Sequence, residues 1–291
     1  MNRQTLFILP FKGCVNMQTN KHFNHPTPTQ PAWLMPARLA IMVALTAALA
    51  ACGGGGSGDS DTTASGNGSS TASGGYVVTT IAGGRVGDGV GFADGPGTTA
   101  LFNNPMGIAL GPDGCLYVAD KSNNRIRKIA ANGVVSTVAG TDEPPPTGSC
   151  ISDGPCASAT LGAPWGIAVD KSGSIYVADQ GSHAIRKITN PGTASCMVST
   201  LAGSCGKGYA DGQGSSAGFE FPNALTLDAD GNLYVTDNSS VRKITPAGYV
   251  TTLAGSATES GAADGMGLSA RFGLLQGIAL DAKGNLYVSD F

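Results

Sequence analysis

The stretch DGPGTTALFNNPMGIALGPDGCLYVAD, residues 94–120, returns at 153–179, 211–237 and 264–290 without a single gap. Successive copies start 53 to 59 residues apart, and self-similarity at such a period marks a stacked-unit architecture. Seven positions are identical in all four copies: Asp94, Gly95, Ala100, Gly114, Tyr117, Val118 and Asp120, with their counterparts. Within a copy, the apolar run Gly107 to Leu110 meets the turn cluster Gly111-Pro112-Asp113-Gly114 and then Leu116-Tyr117-Val118-Ala119. Pro presets φ and Asp-Gly supplies turn residues, so the pair is predicted as a hairpin. Neither strand alternates apolar with polar residues, which predicts strands covered on both faces. A third strand is expected at Arg125 to Ile129, with counterparts at 185–188 and, after a two-residue deletion, at 241–244. A fourth is expected at Val134 to Val138, returning at 198–203 and 249–255. Four short strands per unit and no helical periodicity predict an all-β propeller.

The pattern Pro-x-Gly-Ile-Ala, turn, (Leu/Ile)-Tyr-Val-Ala-Asp, Asn-x-Arg-Ile-Arg-Lys-Ile resembles the NHL repeat, best in Pro105 to Ile129 and Pro164 to Ile188. The third copy departs at Asn223-Ala224-Leu225-Thr226, and the fourth lacks the Pro. The resemblance covers residues 76–291 and implies an NHL-type β-propeller, six-bladed when complete. Tyr76 to Gly84 matches the fourth-strand segments and is expected as an outer strand that completes a last blade. Six blades at this period need about 330 residues, whereas 76–291 supplies 216. The expectation is an arc of about three and a half four-stranded blades, incomplete at its C-terminal end, with uncovered sheet edges. It reads as a fragment of a longer chain, or as half of a ring closed by two chains. Alone it is expected to aggregate or associate through its ends.

Residues 1–75 are different material. Arg38 precedes the apolar stretch Leu39 to Ala51, too short to span a bilayer, so residues 1–51 read as an export signal with a mis-started upstream extension. Leu49-Ala50-Ala51-Cys52 resembles the lipobox of bacterial lipoproteins, which implies lipidation at Cys52; the alternative is an ordinary secretory signal. Residues 52–75 then form a lipidated Cys and a Gly/Ser-rich tether that cannot pack. The implied address is the cell envelope, by a lipid anchor in the membrane, the outer one if the cell has two.

A net charge of −3 gives no basic surplus, so nucleic acid is excluded as a partner. The Arg-Lys pairs at 127/128, 186/187 and 242/243 are expected on solvated strand faces. Export favours disulfides, with Cys150–Cys156 the first expected pair, Cys196–Cys205 the second and Cys115 free. With no Cys-x-x-Cys spacing, no metal or other cofactor is expected. Asp94, Asp153, Asp211 and Asp264 sit in Asp-Gly loops, and Asp120, Asp179, Asp237 and Asp290 close the second strands. A residue present in every unit belongs to the unit, so these eight are expected to be structural. Asp228-Ala229-Asp230-Gly231-Asn232 lacks the Glu of a calcium loop.

Chemistry needs residues that break the repeat, here Glu143, His183, Glu220 and Glu259. Glu220 is the ligand-site candidate, since it precedes an innermost strand where its counterparts are Asn103, Gly162 and Gly273. His183 matches Asn124 and reads as structural. The resemblance implies a non-catalytic scaffold binding a protein, peptide or glycan at one end of the propeller. The alternative is a propeller-fold enzyme like virginiamycin B lyase or gluconolactonase. No catalytic residue is assigned.

Overall fold

A computed structural model of the chain describes residues 5–10, 79–83, 91–141 and 152–291, the first of these segments as backbone alone. The signal stretch 39–51, Cys52, the tether 53–75, Glu143 and Cys150 lie outside the described residues. All described residues fall in one compact unit.

Each repeat copy is one antiparallel sheet. In the first copy Pro105–Leu110, Leu116–Asp120, Arg125–Ile129 and Val135–Ala139 pair in chain order. Pro164–Val169, Ile175–Asp179, Ala184–Thr189 and Met197–Gly203 build the second blade. Pro222–Leu227, Leu233–Asp237, Ser240–Ile244 and Tyr249–Gly255 build the third. The hairpin between first and second strands turns on the invariant glycine, whose φ is +75° at Gly114, +87° at Gly173, +83° at Gly231 and +85° at Gly284. A Cβ is strained there, which explains why this position never varies. First strands of successive blades lie side by side, so they converge on the propeller axis.

The fourth copy contributes Leu275–Leu280 and Asn285–Asp290. Its third-strand place is taken by Thr5–Pro10, antiparallel to Asn285–Asp290, an element the sequence reading had assigned to a mis-started extension. An open strand edge offers unpaired N–H and C=O groups to any extended segment, which is what this pairing uses. The expected outer strand at 76–84 does not appear over its described part: residues 79–83 carry no strand. Gly83 donates its N–H to the Gly97 carbonyl at 2.9 Å, and no strand among the described residues lies alongside this segment to build a ladder.

The unbroken apolar strands are explained by burial of both faces between blades. Tyr117, Ala119 and Ile126 from one side of the first blade pack with Ile167, Ile175, Val177 and Ile188 of the second. Tyr176, Ala178 and Ile185 meet Leu225, Leu233, Val235 and Ile244 in the same way. Tyr234, Val241 and Ala254 meet Leu275, Leu286 and Val288. Each large side chain covered this way contributes about 1.5–3 kcal/mol. Where no blade lies alongside, the same positions are bare: Ile108 is 61% exposed, against 7% for Ile167 and 7% for Leu225.

The third strands correct the sequence reading. Arg127, Arg186 and Arg242 are buried rather than solvated, while Lys128, Lys187 and Lys243 remain partly exposed. Each arginine bridges two invariant aspartates. Arg127 reaches Asp120 at 2.8 Å and Asp94 at 2.6 Å, Arg186 reaches Asp179 at 3.2 Å and Asp153 at 2.7 Å, and Arg242 reaches Asp237 at 3.0 Å and Asp211 at 2.9 Å. Loop carbonyls add two acceptors to each guanidinium, Leu101 and Ala93, Thr160 and Ser152, Gly218 and Ala210, while each Nε is buried without a partner. The planar five-donor fork suits a site with two carboxylates and two carbonyls.

The disulfide is Cys156–Cys196, not the expected Cys150–Cys156 and Cys196–Cys205. Gly154–Pro155 pairs with Met197–Val198 along the outer edge of the second blade, which carries Cys156 beside Cys196. Sequence proximity favoured a local loop, but the Asp-Gly loop runs back along its own outer strand. Cys205 is also disulfide-bonded, and Cys115 is free. Non-reducing peptide mapping should recover Cys156 joined to Cys196. With a sequence separation of 40, losing this bridge should cost roughly 4 kcal/mol on the chain-entropy account, read as a lower urea midpoint for C156S/C196S.

The turn aspartates give the fold a pH dependence. The backbone N–H of Asn285, then its side-chain amide, hold Asp281 down from 3.8 to about 2. Asp228 is also lowered: burial raises it, but Asn232, Tyr234 and the Asp230 N–H together outweigh that. A depressed carboxyl stabilises the fold above its unfolded value and loses that contribution as pH falls toward the folded one. The unfolding midpoint should therefore fall between about pH 4 and pH 2, and D281N should flatten that slope in thermal melts.

Candidate functional site

The Asp that closes each second strand also sets the backbone just before the first strand. Asp120 accepts the N–H of Asn103 at 2.8 Å, Asp179 that of Gly162 at 2.7 Å, and Asp290 that of Gly273 at 3.0 Å. In the third blade Asp237 accepts from Glu220 at 2.9 Å and from Phe221 at 2.8 Å. Whatever side chain stands at this position is displayed on a fixed backbone at one end of the propeller. Only the third blade puts a carboxylate there.

Glu220 is held by neighbours from two loops. Its Oε2 accepts from Asn238 Nδ2 at 2.7 Å and from the Tyr209 hydroxyl at 3.2 Å. Lys207 Nζ lies 3.7 Å from Oε1 and 4.5 Å above the Phe221 ring. The Glu220 hydrogen bond lifts the Tyr209 phenol above its ordinary 10.0. Glu220, Tyr209 and Asn238 line a recess of about 610 Å³ with Ser239, Thr258 and Ser260, between the third and fourth blades.

The two-residue deletion shapes this recess. In the first two blades a short 3-10 turn, Lys121–Asn123 and Gln180–Ser182, follows the second strand and ends on Asn124 and His183, both left-handed at φ +51°. Their side chains reach the next blade: Asn124 Oδ1 accepts the Ala163 N–H at 2.9 Å, and His183 Nδ1 lies 2.6 Å from the Glu220 carbonyl oxygen. The third blade has no such turn. Asn238, at φ +51°, turns its amide to Glu220 of its own blade instead.

The other candidates do not gather here. Asp94, Asp120, Asp153, Asp179, Asp211 and Asp237 serve the buried arginines, and Glu259 pairs with Arg271 at the surface. Asp228 accepts its own turn's N–H groups and the Tyr234 hydroxyl. Among the described residues no cluster of His, Cys, Asp or Glu is placed to hold a metal. Sequence reasoning missed Lys207, Tyr209 and Asn238. The deletion before Val241 was a signal for the last of them.

The NHL repeat is matched at residues 102–129 and 161–188. The chain carries an NHL-type β-propeller. It is 33% identical over 153 residues to Protein SUPPRESSOR OF QUENCHING 1, chloroplastic, of Arabidopsis thaliana, which covers 50% of this chain and 14% of that protein. To NHL repeat-containing protein 2 of Bos taurus it is 30% identical over 232 residues, covering 68% of this chain and 31% of the relative. It thus spans under a third of the length of either relative. An auxiliary nutrient binding protein from Bacteroides ovatus superposes with a TM-score of 0.48 and 20% identity, covering 66% of this chain and 49% of that one.

Glu220→Gln removes the charged acceptor of the Tyr209 proton. The Tyr209 phenol should then titrate closer to its ordinary 10.0, read by carbon NMR of ζ-labelled tyrosine.

Proposed function

We propose that this chain is an exported, lipid-anchored binding module whose propeller offers the Glu220 recess to a glycan. One observation carries the reading. The single carboxylate that breaks the repeat at this position stands at the wall of a recess, held by an amide, a phenol and an ammonium. Hydroxyl-rich ligands are recognised by such mixed acceptors and donors. Tyr209, 42% exposed, adds an aromatic ring face, and Ser239, Thr258 and Ser260 add hydroxyls. Glu220 acts as a fixed acceptor: its neighbours orient it and leave its remaining lone pairs for ligand hydroxyls. The role assigned is binding without catalysis.

The anchor rests on sequence. A short apolar run, Leu49-Ala50-Ala51-Cys52 and a Gly/Ser tether with a root-mean-square reach of roughly 26 Å would hold the propeller near a membrane surface, stably once more than one acyl chain is attached.

The test is a panel of neutral oligosaccharides titrated by calorimetry against the chain and its E220Q and Y209A variants. Saturable binding that weakens about tenfold or more in both variants supports the reading, since leaving a buried partner unpaired costs about 1–3 kcal/mol. Equal binding by all three proteins, or none, overturns it. Mass spectrometry of protein from the producing cell should find Cys52 amino-terminal and diacylated; an unmodified Cys52 or a mature start upstream of it removes the anchor.

A further inference from the structure

In the first two blades the residue after the closing aspartate reaches across to the next blade at the inner rim. Gln180 follows Asp179 in the second blade, and its Nε2 donates to Asn223 Oδ1 of the third blade at 2.6 Å. Lys121 follows Asp120 in the first blade, and its ammonium lies 4.1 Å from the centroid of the Trp165 ring in the second. Trp165 and Asn223 hold the same repeat position, the second residue of the first strand, where the other copies carry Met106 and Gln276. Asn223 Nδ2 continues the line by donating to the Leu275 carbonyl of the fourth blade at 2.8 Å. One end of the propeller is therefore edged by side chains that join blades, with an indole and an ammonium at one point of the edge.

These two residues differ from the rest of the edge in what they leave unused. Gln180 and Asn223 pair with each other. Lys128 pairs with Asp113 at 2.9 Å and Lys207 with Glu220 at 3.7 Å. Lys121 has no acidic partner among the described residues, and the Trp165 indole N–H has no acceptor there. Both side chains are partly exposed. An aromatic face attracts an ammonium without neutralising it, so Lys121 is held in place and still able to pair with an anion. Glu220 stands at the same end, one blade on and three residues before Asn223. Packed sheets lie about 10 Å apart, a step that successive rings of one saccharide chain cross.

We propose that Lys121 and Trp165 form a second subsite at this end, which takes the uronic-acid end of an acidic glycan whose neutral part enters the Glu220 recess. The sugar carboxylate meets the Lys121 ammonium in a charge-assisted hydrogen bond. A ring hydroxyl accepts from the indole N–H, and the carbon-bound hydrogens of the sugar lie on the part of the indole that Lys121 leaves uncovered. Charge fixes the direction of the chain. Glu220 repels the acid and Lys121 attracts it, so the charged sugar docks on the Trp165 side. That the ligand is a glycan rests on the reading of the Glu220 recess; that it is acidic rests on Lys121.

The W33F chain keeps Trp165 as its single tryptophan, so indole fluorescence reports this subsite alone. The probes are gluco-, galacto- and manno-configured trisaccharides, each in its neutral form and with its terminal ring oxidised to the uronic acid. At least one pair should give a saturable change in fluorescence, the acid binding about tenfold more tightly than its neutral twin, the scale of one charge-assisted hydrogen bond. Added salt should narrow that gap. K121M keeps a flexible chain against the ring and removes the charge, so it should bind acid and neutral forms alike, and K121R should restore the preference. Equal binding of the two forms by W33F, a preference that survives in K121M, or no fluorescence change with any pair overturns the proposal. E220Q in the same background separates the two readings. If it binds the acids as W33F does while K121M loses the preference, the Lys121 subsite stands without the Glu220 recess. If E220Q loses the neutral sugars while K121M changes nothing, the recess stands and the acid subsite falls.

Discussion

Everything regular in this propeller passes through a buried arginine held between two aspartates. Arg127, Arg186 and Arg242 each tie the end of the second strand to the Asp-Gly loop and its flanking carbonyls, which lie more than twenty residues upstream of the arginine. Burying one charge costs several kcal/mol. Two carboxylates, two carbonyls and an aromatic face, as where Arg242 lies 5.1 Å over Phe219, offset that cost. The same Asp-Gly aspartate then accepts the N–H and hydroxyl of an outer-strand threonine, Thr137, Thr200 or Thr252. Inner loop, third strand and outer strand are thus fixed by one polar centre, which leaves the sheet faces free to be wholly apolar.

Those faces carry the stability. The second strands of the second and third blades turn a tyrosine to one neighbour and a valine to the other, so a blade has two unlike faces and stacks in one sense only. The tyrosine hydroxyl escapes burial by reaching a turn aspartate at the sheet end, as Tyr234 does to Asp228 at 3.0 Å. Burial, then that bond, lifts the Tyr234 phenol to about 12. Stacking and turn geometry are thereby coupled, and a turn aspartate serves the inter-blade core as much as its own hairpin.

At residue 220 the repeat is broken on a backbone that the repeat holds still. The Asp237 carboxylate clamps residue 220 as its counterparts clamp residues 103, 162 and 273, so a Glu costs the fold little and gains a fixed position. The shortened turn at Asn238 clears space beside it. In the fourth blade Asp290 keeps the repeat's residue and accepts the Gly273 N–H at 3.0 Å.

By itself, the sequence determined the four units, their hairpins and the all-β class, because identical turn residues at Gly114 and its counterparts and unbroken apolar strands admit few other folds. It also singled out the recurrent aspartates, and Glu220 as the odd residue out. It could not show the arginines as buried, since Arg-Lys in a strand looks like a wet face until the second carboxylate, some thirty residues upstream at Asp94, is brought beside it. It misplaced the disulfide for the same reason: Cys150 and Cys156 are close in the chain, but strand pairing between Gly154–Pro155 and Met197–Val198 decides which sulfur Cys156 meets. Lys207 and Tyr209 carry no pattern, and only folding brings their loop, and that of Asn238, to Glu220. Local periodicity reports which face of a strand is covered. What covers it, and which distant charge waits there, is set by the pairing of strands remote in sequence, which tertiary structure alone decides.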